Sequence, residues 1–381
     1  MSVAVVGISL NEICGVRDHA RLLAEQLSAE GTSCTWHWLL RRQRSLRGSR
    51  AELGAWSRSL ARELADERPD AILLHYSVFT YSHKGIPLFV RPVVSRLLRS
   101  GIPIVTVMHE FAYPWRYGGW RGSVWAVSQR ALLIEVMRAS TGVIVTADAR
   151  ASWLATRRWL PRRHTLAAPV FSNLPAPTAK PAGDGAPPTI GLFGYSYQGA
   201  AVSVIADALA DLRASRADLR LALLGAPGAA SDAGERWLRV ARGRGIEPAL
   251  SFTGPLGAQE LSDALARCDV LLFADASGPT SRKGSLAASL ASGRPVVALD
   301  GPLTWQEPVD AGALRIAPAS ARSLADALAA LLDDPDASDA LGARGRSFAL
   351  REMGVKRTAD AAQALLREAV RARAGRRQTL S

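Results

Sequence analysis

The sequence predicts an α/β protein made of two Rossmann-like domains. Three observations carry that prediction. Short apolar runs of strand length alternate with amphipathic stretches along most of the chain, the pattern of a parallel sheet wound with helices. At 381 residues the chain exceeds what one core sustains, so two domains of roughly 150–200 residues are expected. Over residues 169–188 the periodicity gives way to PVFSNLPAPTAKPAGDGAPP, a composition typical of linkers. The expected boundaries are 1–173 for the first domain, 174–188 for the linker and 189–345 for the second domain. Residues 346–381 are expected to form a C-terminal helix packing back toward the first domain, frayed at its basic end.

Composition narrows the class. The chain is 48% hydrophobic and 21% charged, which argues against long disorder. A net charge of +13 suits an acidic partner: nucleic acid, an anionic membrane surface or a phosphorylated small molecule. Arginine outnumbers lysine so heavily that genome composition could explain part of this; the lysines are Lys84, Lys180, Lys283 and Lys356 alone. Cys14, Cys34 and Cys268 are far apart with no CxxC pair, as expected of reduced thiols rather than a disulfide framework or a zinc site. No basic segment precedes the first apolar run, so a signal peptide is not expected. No run of 18 apolar residues occurs, so no membrane span is expected.

The first domain opens with a strand at 3–8, a loop NEICGVR containing Gly15 and Arg17, and a helix at 18–29. GxGxxG is absent, so a dinucleotide is not indicated. A second strand at 35–40 leads into a basic connection at 41–50, then a helix at about 51–66. The strand at 71–75 ends in His75 and passes into an aromatic, polar loop beginning with Tyr76. A helix at 89–99 precedes a strand at 102–108, whose carboxyl end carries His109 and Glu110. A polar pair directly after a buried strand lies where open α/β sheets present ligand-facing residues; a capped loop is the alternative. A helix at 124–140 and a strand at 142–146 follow. His19, His37, His83 and His164 are expected at the surface or in packing, and no His pair has zinc spacing with a partner Glu. Residues 115–130 and the segment RRWLPRR at 157–163 mix aromatic and basic side chains. That mixture suits an anionic membrane surface or a single-stranded nucleic acid, or simply solvated loops.

The second domain repeats the rhythm: strand 189–193, a loop from Gly194 and Tyr195 to Gly199, helix 201–214, strand 219–224, helix 233–243, strand 250–253 and helix 259–266. Its most informative stretch is CDVLLFADASGPTSRKGSLAASLASGRPVVALD at 268–300. Residues 270–273 read as a strand buried on both faces, Thr280 or Ser281 as a helix cap, and Leu286, Ala287, Leu290 and Ala291 as the apolar stripe of the helix. Arg282 and Lys283 fall in its first turn, where the macrodipole disfavours cations by about 0.3–1 kcal/mol each. No carboxylate lies between 280 and 298 to offset them. An anion such as a phosphate or diphosphate would make the arrangement favourable, because free backbone N–H groups, the dipole and the two cations would converge on it; two solvated surface cations are the bland alternative. A last strand at 314–317, a helix at 323–332 and a nearly continuous helix from 337, broken near 353–354, complete the chain. The two sheets are expected to leave a cleft between their carboxyl ends, with Gly15 and His109 on one side and Tyr195, Arg282 and Lys283 on the other.

Several pieces together resemble a GT-B fold glycosyltransferase of the family 4 (group 1) retaining type: NEICGVRDHARLLAEQL, TVMHE, APVFSNLP, TIGLFGYSYQGA, LLGAP, FTGPL and the 268–300 stretch. The resemblance covers nearly the whole chain. It implies that Gly15 and Gly194 approach the donor, that His109 contacts the donor sugar, and that Arg282, Lys283 and Gly284 meet the diphosphate. Glu110 joins His109 as a catalytic candidate, Tyr195 and Ser285 join the donor set, and Arg17, His75 and Tyr76 the acceptor side. The family often carries two glutamates where this chain has Thr280 and Ala288, so no catalytic glutamate is carried over. The implied reaction moves a sugar from a nucleotide-diphosphate sugar to an acceptor hydroxyl with retention, without metal or cofactor. The partners expected are the nucleotide sugar and an acceptor saccharide, small molecule or lipid-linked glycan, with no nucleic acid. The location expected is cytoplasmic, with peripheral contact at the inner membrane face left open. The alternative is a GT-B protein that binds a nucleotide sugar or a partner without turnover.

Overall fold

The computed structural model describes every residue except 13, 113, 116–118, 180–185, 195–198 and 379–381, and omits the side chains of 199, 200 and 376–378. The chain divides into two compact units, residues 1–169 with 355–381, and residues 170–354.

The first unit contains β1 (Ser2–Ser9), α1 (Gly15–Ala29), β2 (Ser33–Leu40), α2 (Leu46–Glu67), β3 (Ala71–Ser77), α3 (Val90–Arg99), β4 (Ile104–Glu110), α4 (Gly119–Ala139), β5 (Ser140–Val145), α5 (Asp148–Ala155) and β6 (His164–Ala167). The strands form one sheet in the order β2-β1-β3-β4-β5-β6, and every pairing is parallel. Both faces are covered, so the strands are apolar throughout rather than alternating. Side-chain direction still alternates. Ala4, Val6, Ile8, Ile72, Leu74, Tyr76, Ile104 and Met108 pack on Leu60 and Leu64 of α2, on α3, and on Leu133 and Val136 of α4. On the other face Val5 meets Ala20 and Ala24 of α1. A closing helix assigned to this unit completes that face: its Leu365 lies so near Gly142 that a Cβ there would sit 3.0 Å from it.

The second unit contains β7 (Thr189–Phe193), α6 (Gly199–Arg213), β8 (Arg220–Leu224), α7 (Asp232–Arg242), β9 (Leu250–Gly254), α8 (Ala258–Ala266), β10 (Val270–Phe273), α9 (Gly284–Ala291), β11 (Val296–Leu299), α10 (Gln306–Asp310), β12 (Arg315–Ala317), α11 (Ala321–Asp333) and α12 (Pro335–Glu352). Its sheet is also parallel, in the order β12-β11-β10-β7-β8-β9. Leu192, Leu223, Leu272 and Val297 face α6, α7 and α11. Leu224, Leu271, Phe273 and Ala298 face α8, α9 and α12. At Gly342 α12 touches the turn after α9, where a Cβ would lie 2.1 Å from the Gly293 carbonyl oxygen. The closing helix, α13 (Val355–Gln378), begins after the expected break at 353–354 and belongs to the first unit.

Several element limits differ from the expectation. α2 begins at Leu46, because the Ser45 hydroxyl caps it by accepting the Gly48 N–H at 3.1 Å. α4 begins at Gly119 rather than 124. β3 continues through Tyr76 and Ser77, where the sequence predicts a loop. Neither α5 nor β6 was foreseen. α5 buries only Leu154, so it carries no apolar stripe, and β6 is a four-residue edge strand. Among the described residues no helix is long and apolar enough to cross a membrane.

Candidate functional site

In the first unit three imidazoles meet at the carboxyl edge of the sheet. His75 lies in β3 and His109 in β4, and both share the odd-numbered face of Leu73, Val105 and Val107. β3 and β4 are neighbours, with His75 opposite Val107, so His109 projects two positions beyond. His19 is the first residue in the buried stripe of α1, ahead of Ala20, Leu23, Ala24 and Leu27. Because α1 starts just after β1 ends, its first turn sits at the same edge. His75 Nδ1 and His109 Nε2 are 3.1 Å apart. The ring centroids are separated by 5.0 Å for His19 and His109, 5.4 Å for His75 and His109, and 5.9 Å for His19 and His75. His19 and His75 are buried and His109 is half-buried.

Burial holds all three rings neutral. It pushes His19 and His75 well below the usual histidine range, and the neighbouring imidazoles add to the effect. His109 falls to about 3, first through burial and then through the charge of Arg150. At neutral pH the cluster therefore offers ring nitrogens as hydrogen-bonding groups and ligands, not cations.

Arg150 lies in α5, which buries only Leu154 and so leaves no period in the sequence that would point to it. Its guanidinium donates to the His109 carbonyl oxygen and to Glu110 Oε2 at 2.9 Å, and stacks 5.2 Å from the Phe111 ring centroid. Glu110 is thus engaged as the counter-ion that orders this corner. Gly15 is the exposed first residue of α1, and Arg17 donates to the Glu12 carbonyl oxygen. His19, expected at the surface or in packing, is instead part of the cluster. A signal for it existed: it follows the Gly15 loop at the carboxyl end of β1, as His75 and His109 sit at the carboxyl ends of β3 and β4.

Tyr76 is not brought to this site. Its even-numbered position turns it to the opposite face, where it is fully buried with its ring 5.3 Å from that of Tyr81. Its hydroxyl finds no hydrogen-bond partner among the described residues, and burial raises its pKa. A buried unsatisfied hydroxyl costs roughly 1–3 kcal/mol. Tyr76→Phe is therefore expected to leave activity unchanged and to hold or raise the melting temperature. Scanning calorimetry beside an activity assay checks this; a selective loss of activity would return Tyr76 to the acceptor side.

In the second unit the candidate site surrounds the start of α9. The helix does not begin after Thr280 or Ser281, as the sequence suggested. Its cap residue is Lys283, with extended backbone and no side-chain cap, so Gly284 and Ser285 form its first turn. The first N–H groups of a helix have no intrahelical acceptor. Gly194, in the left-handed region at φ 76°, ends β7 beside them; a Cβ there would be 3.5 Å from Ser285. Tyr195 lies outside the described residues. Lys283 has a carboxylate after all. Asp275 lies just outside the interval 280–298, in the loop after β10, and its Oδ2 is 2.6 Å from Lys283 Nζ. Burial alone would raise the Asp275 pKa, but hydrogen bonds from Lys283 and the Ser277 N–H outweigh it and hold the group below its usual range. Arg282 is half-buried. Thr280 is buried and its hydroxyl has no hydrogen-bond partner among the described residues, and Ala288 is buried in the packed face of α9.

Comparison with known proteins now adds to this geometry. Residues 187–334 match the family model described as Glycosyl transferases group 1, a span that includes β7, Gly194 and all of α9. The fold has near neighbours among solved structures. A sucrose-phosphate synthase from Thermosynechococcus elongatus is 16% identical, with TM-score 0.69 over 97% of this chain and 99% of that one. A glycosyltransferase from Rickettsia africae ESF-5 is 10% identical, with TM-score 0.70 over 97% and 98%. A UDP-GlcNAc 2-epimerase from Neisseria meningitidis bound to UDP-GlcNAc is 11% identical, with TM-score 0.62 over 97% and 100%. No curated protein matches. The chain has the two-domain Rossmann-like GT-B fold, and the stretch that matches the group 1 glycosyl transferase model lies within its second unit.

Proposed function

We propose that the protein is a glycosyltransferase that moves a sugar from a nucleotide-diphosphate sugar to an acceptor hydroxyl with retention of configuration. The group 1 family match across residues 187–334 carries this reading. The second unit takes the donor: the first turn of α9 presents Gly284 and Ser285 N–H groups to the diphosphate, and Arg282 and Lys283 neutralise the charge that grows as it leaves. The reading asks for no metal at the diphosphate. The first unit takes the acceptor, and neutral His109 orients the donor sugar, with His75 behind it as hydrogen-bond partner. In a same-face attack the bond from the anomeric carbon to the phosphate oxygen breaks and the bond to the acceptor oxygen forms. The acceptor proton passes to the departing phosphate. A thermal-shift screen against UDP, GDP, ADP and dTDP and their sugar conjugates tests the reading. A ligand held only by the folded state adds about 2.7 kcal/mol at a hundredfold excess over its dissociation constant. One nucleotide family is expected to raise the melting temperature and to turn over with an acceptor; no shift with any of them overturns the reading.

A second reading is favoured by Thr280 and Ala288, which stand where the resembled family often has glutamates. It is a protein that binds the nucleotide sugar without turnover. Donor binding with neither transfer nor hydrolysis would establish it.

The acceptor side has a membrane-compatible surface, which supports a cytoplasmic enzyme working against the inner membrane face. Trp120, Val124 and Val127 are 74%, 42% and 57% exposed and recur at helical spacing along α4. Beside them a cavity of about 400 Å³ is lined by Trp115, Trp153, Trp159, Arg130 and Arg157, with Arg130 stacked 4.3 Å from the Trp115 ring centroid. Aromatic rings flanked by arginines match the chemistry of an anionic interface. The full chain is expected to float with vesicles containing anionic lipid and not with neutral vesicles, and Trp120→Ser with Val127→Ser to abolish the flotation. Equal partition of the variant and the parent chain would remove this surface from the reading.

A further inference from the structure

We propose that His19, His75 and His109 form a binding site for one divalent transition-metal ion of the zinc type, with its fourth coordination position open. The site shares His75 and His109 with the transferase reading, and an ion there would replace the hydrogen bond between the two rings; its tests read metal binding rather than turnover, so each reading can fail without the other.

The donor set is three neutral imidazoles, each able to offer a ring nitrogen, and these ligand atoms all lie within 4.8 Å of one another. Zinc bound by imidazole nitrogen at about 2.0–2.1 Å in tetrahedral geometry places the ring centroids roughly 5 Å apart. The observed centroid separations are 5.0, 5.4 and 5.9 Å, so small side-chain rotations suffice. The His75–His109 nitrogen separation of 3.1 Å is close to the roughly 3.4 Å between two ligands of one such ion. A second observation concerns His75 itself. It is 1% exposed, and its Nε2 has no hydrogen-bond partner among the described residues. Because Nδ1 is the nitrogen that faces His109, an ion satisfies Nε2 only when the His75 ring turns over, which exchanges the two nitrogens. Arg150, whose charge acts on His109, is paired with Glu110 at 2.9 Å, which offsets its charge against an incoming ion. The ligand type selects the metal: three imidazoles without a carboxylate suit zinc, cobalt or copper rather than magnesium or calcium. His109, the half-buried member, gives solvent access and hence a place for a fourth ligand such as water.

The experiment uses the full chain, without a histidine tag, stripped by chelator. Cobalt(II) chloride is titrated while visible absorption is followed, and zinc binding is measured by calorimetry. One equivalent of cobalt is expected to produce the intense visible bands of tetrahedral coordination, and zinc to displace them. His109→Asn and His19→Gln are each expected to weaken zinc binding more than about 100-fold, since even outer-shell losses cost 10–100-fold. His37→Gln serves as the control, because His37 is buried elsewhere, between Glu63 and Glu67. Only weak octahedral cobalt bands in the parent chain would overturn the proposal, and so would tetrahedral bands that persist in folded His109→Asn. If a variant fails to fold by circular dichroism, the cobalt spectrum of the parent chain decides.

Discussion

Replacing Arg282 and Lys283 together by alanine is expected to weaken nucleoside-diphosphate binding by at least about a hundredfold. Each cation that donates a charge-assisted hydrogen bond to phosphate is worth roughly 1.5–3 kcal/mol, and 1.4 kcal/mol is about tenfold. The helix N-terminus remains in the double variant, so binding weakens rather than vanishes. The pairing of Lys283 with Asp275 adds a distinguishing detail. Lys283→Ala leaves the half-buried Asp275 carboxylate without its partner, close to where a diphosphate would sit. Adding Asp275→Asn to that variant is expected to recover part of the affinity by removing the stranded negative charge. Isothermal titration with the nucleotide found in the screen measures all of these variants. Unchanged affinity in the double variant would make the two cations ordinary surface residues and take the donor site away from α9.

Trp237→Ala is expected to destabilise the second unit by about 3–5 kcal/mol, the range for removing a large aromatic from a core. Trp237 is 1% exposed and heads the largest fully buried side chains. It sits mid-way along α7, in the same cluster as Leu192, Leu221 and Leu223 of the sheet. The second unit spans residues 170–354, a size at which 1 kcal/mol moves the melting temperature by roughly 2–4 °C. The expected loss is therefore on the order of 10 °C or more. Calorimetry of the full chain should show it as a shift in one transition if the units melt separately. A shift under about 2 °C would mean the site collapses on itself with little cavity cost.

The sheets were legible in the sequence because parallel strands covered on both faces leave unbroken apolar runs. VAVVG, AILL, IVTVM, VLLF and PVVAL each fall in or across an observed strand. The helices with a clear apolar stripe were legible for the same reason. α5 and β6 were not: one buries a single leucine and the other is a short edge strand, so neither carries a period to read. The placement of cations at the start of α9 was visible as a local anomaly, since helix polarity is a short-range property. Its resolution by Asp275 was not, because the carboxylate arrives from a loop turned back on the helix.

What the sequence by itself determined, then, was the parallel α/β character of both units and the loops at which ligand chemistry would gather. Tertiary structure alone decided which side chains share a point in space. Strand order in the first unit is β2-β1-β3-β4-β5-β6, so β1, β3 and β4 become neighbours although helices separate them along the chain. That order brings His19, His75 and His109 together from three elements, which no spacing rule encodes. Strand alternation then separates His75 from Tyr76: adjacent in sequence, they point to opposite faces of one sheet. Periodicity reports contacts a few residues apart, whereas a site is assembled from contacts tens of residues apart, fixed only when register and burial are set together.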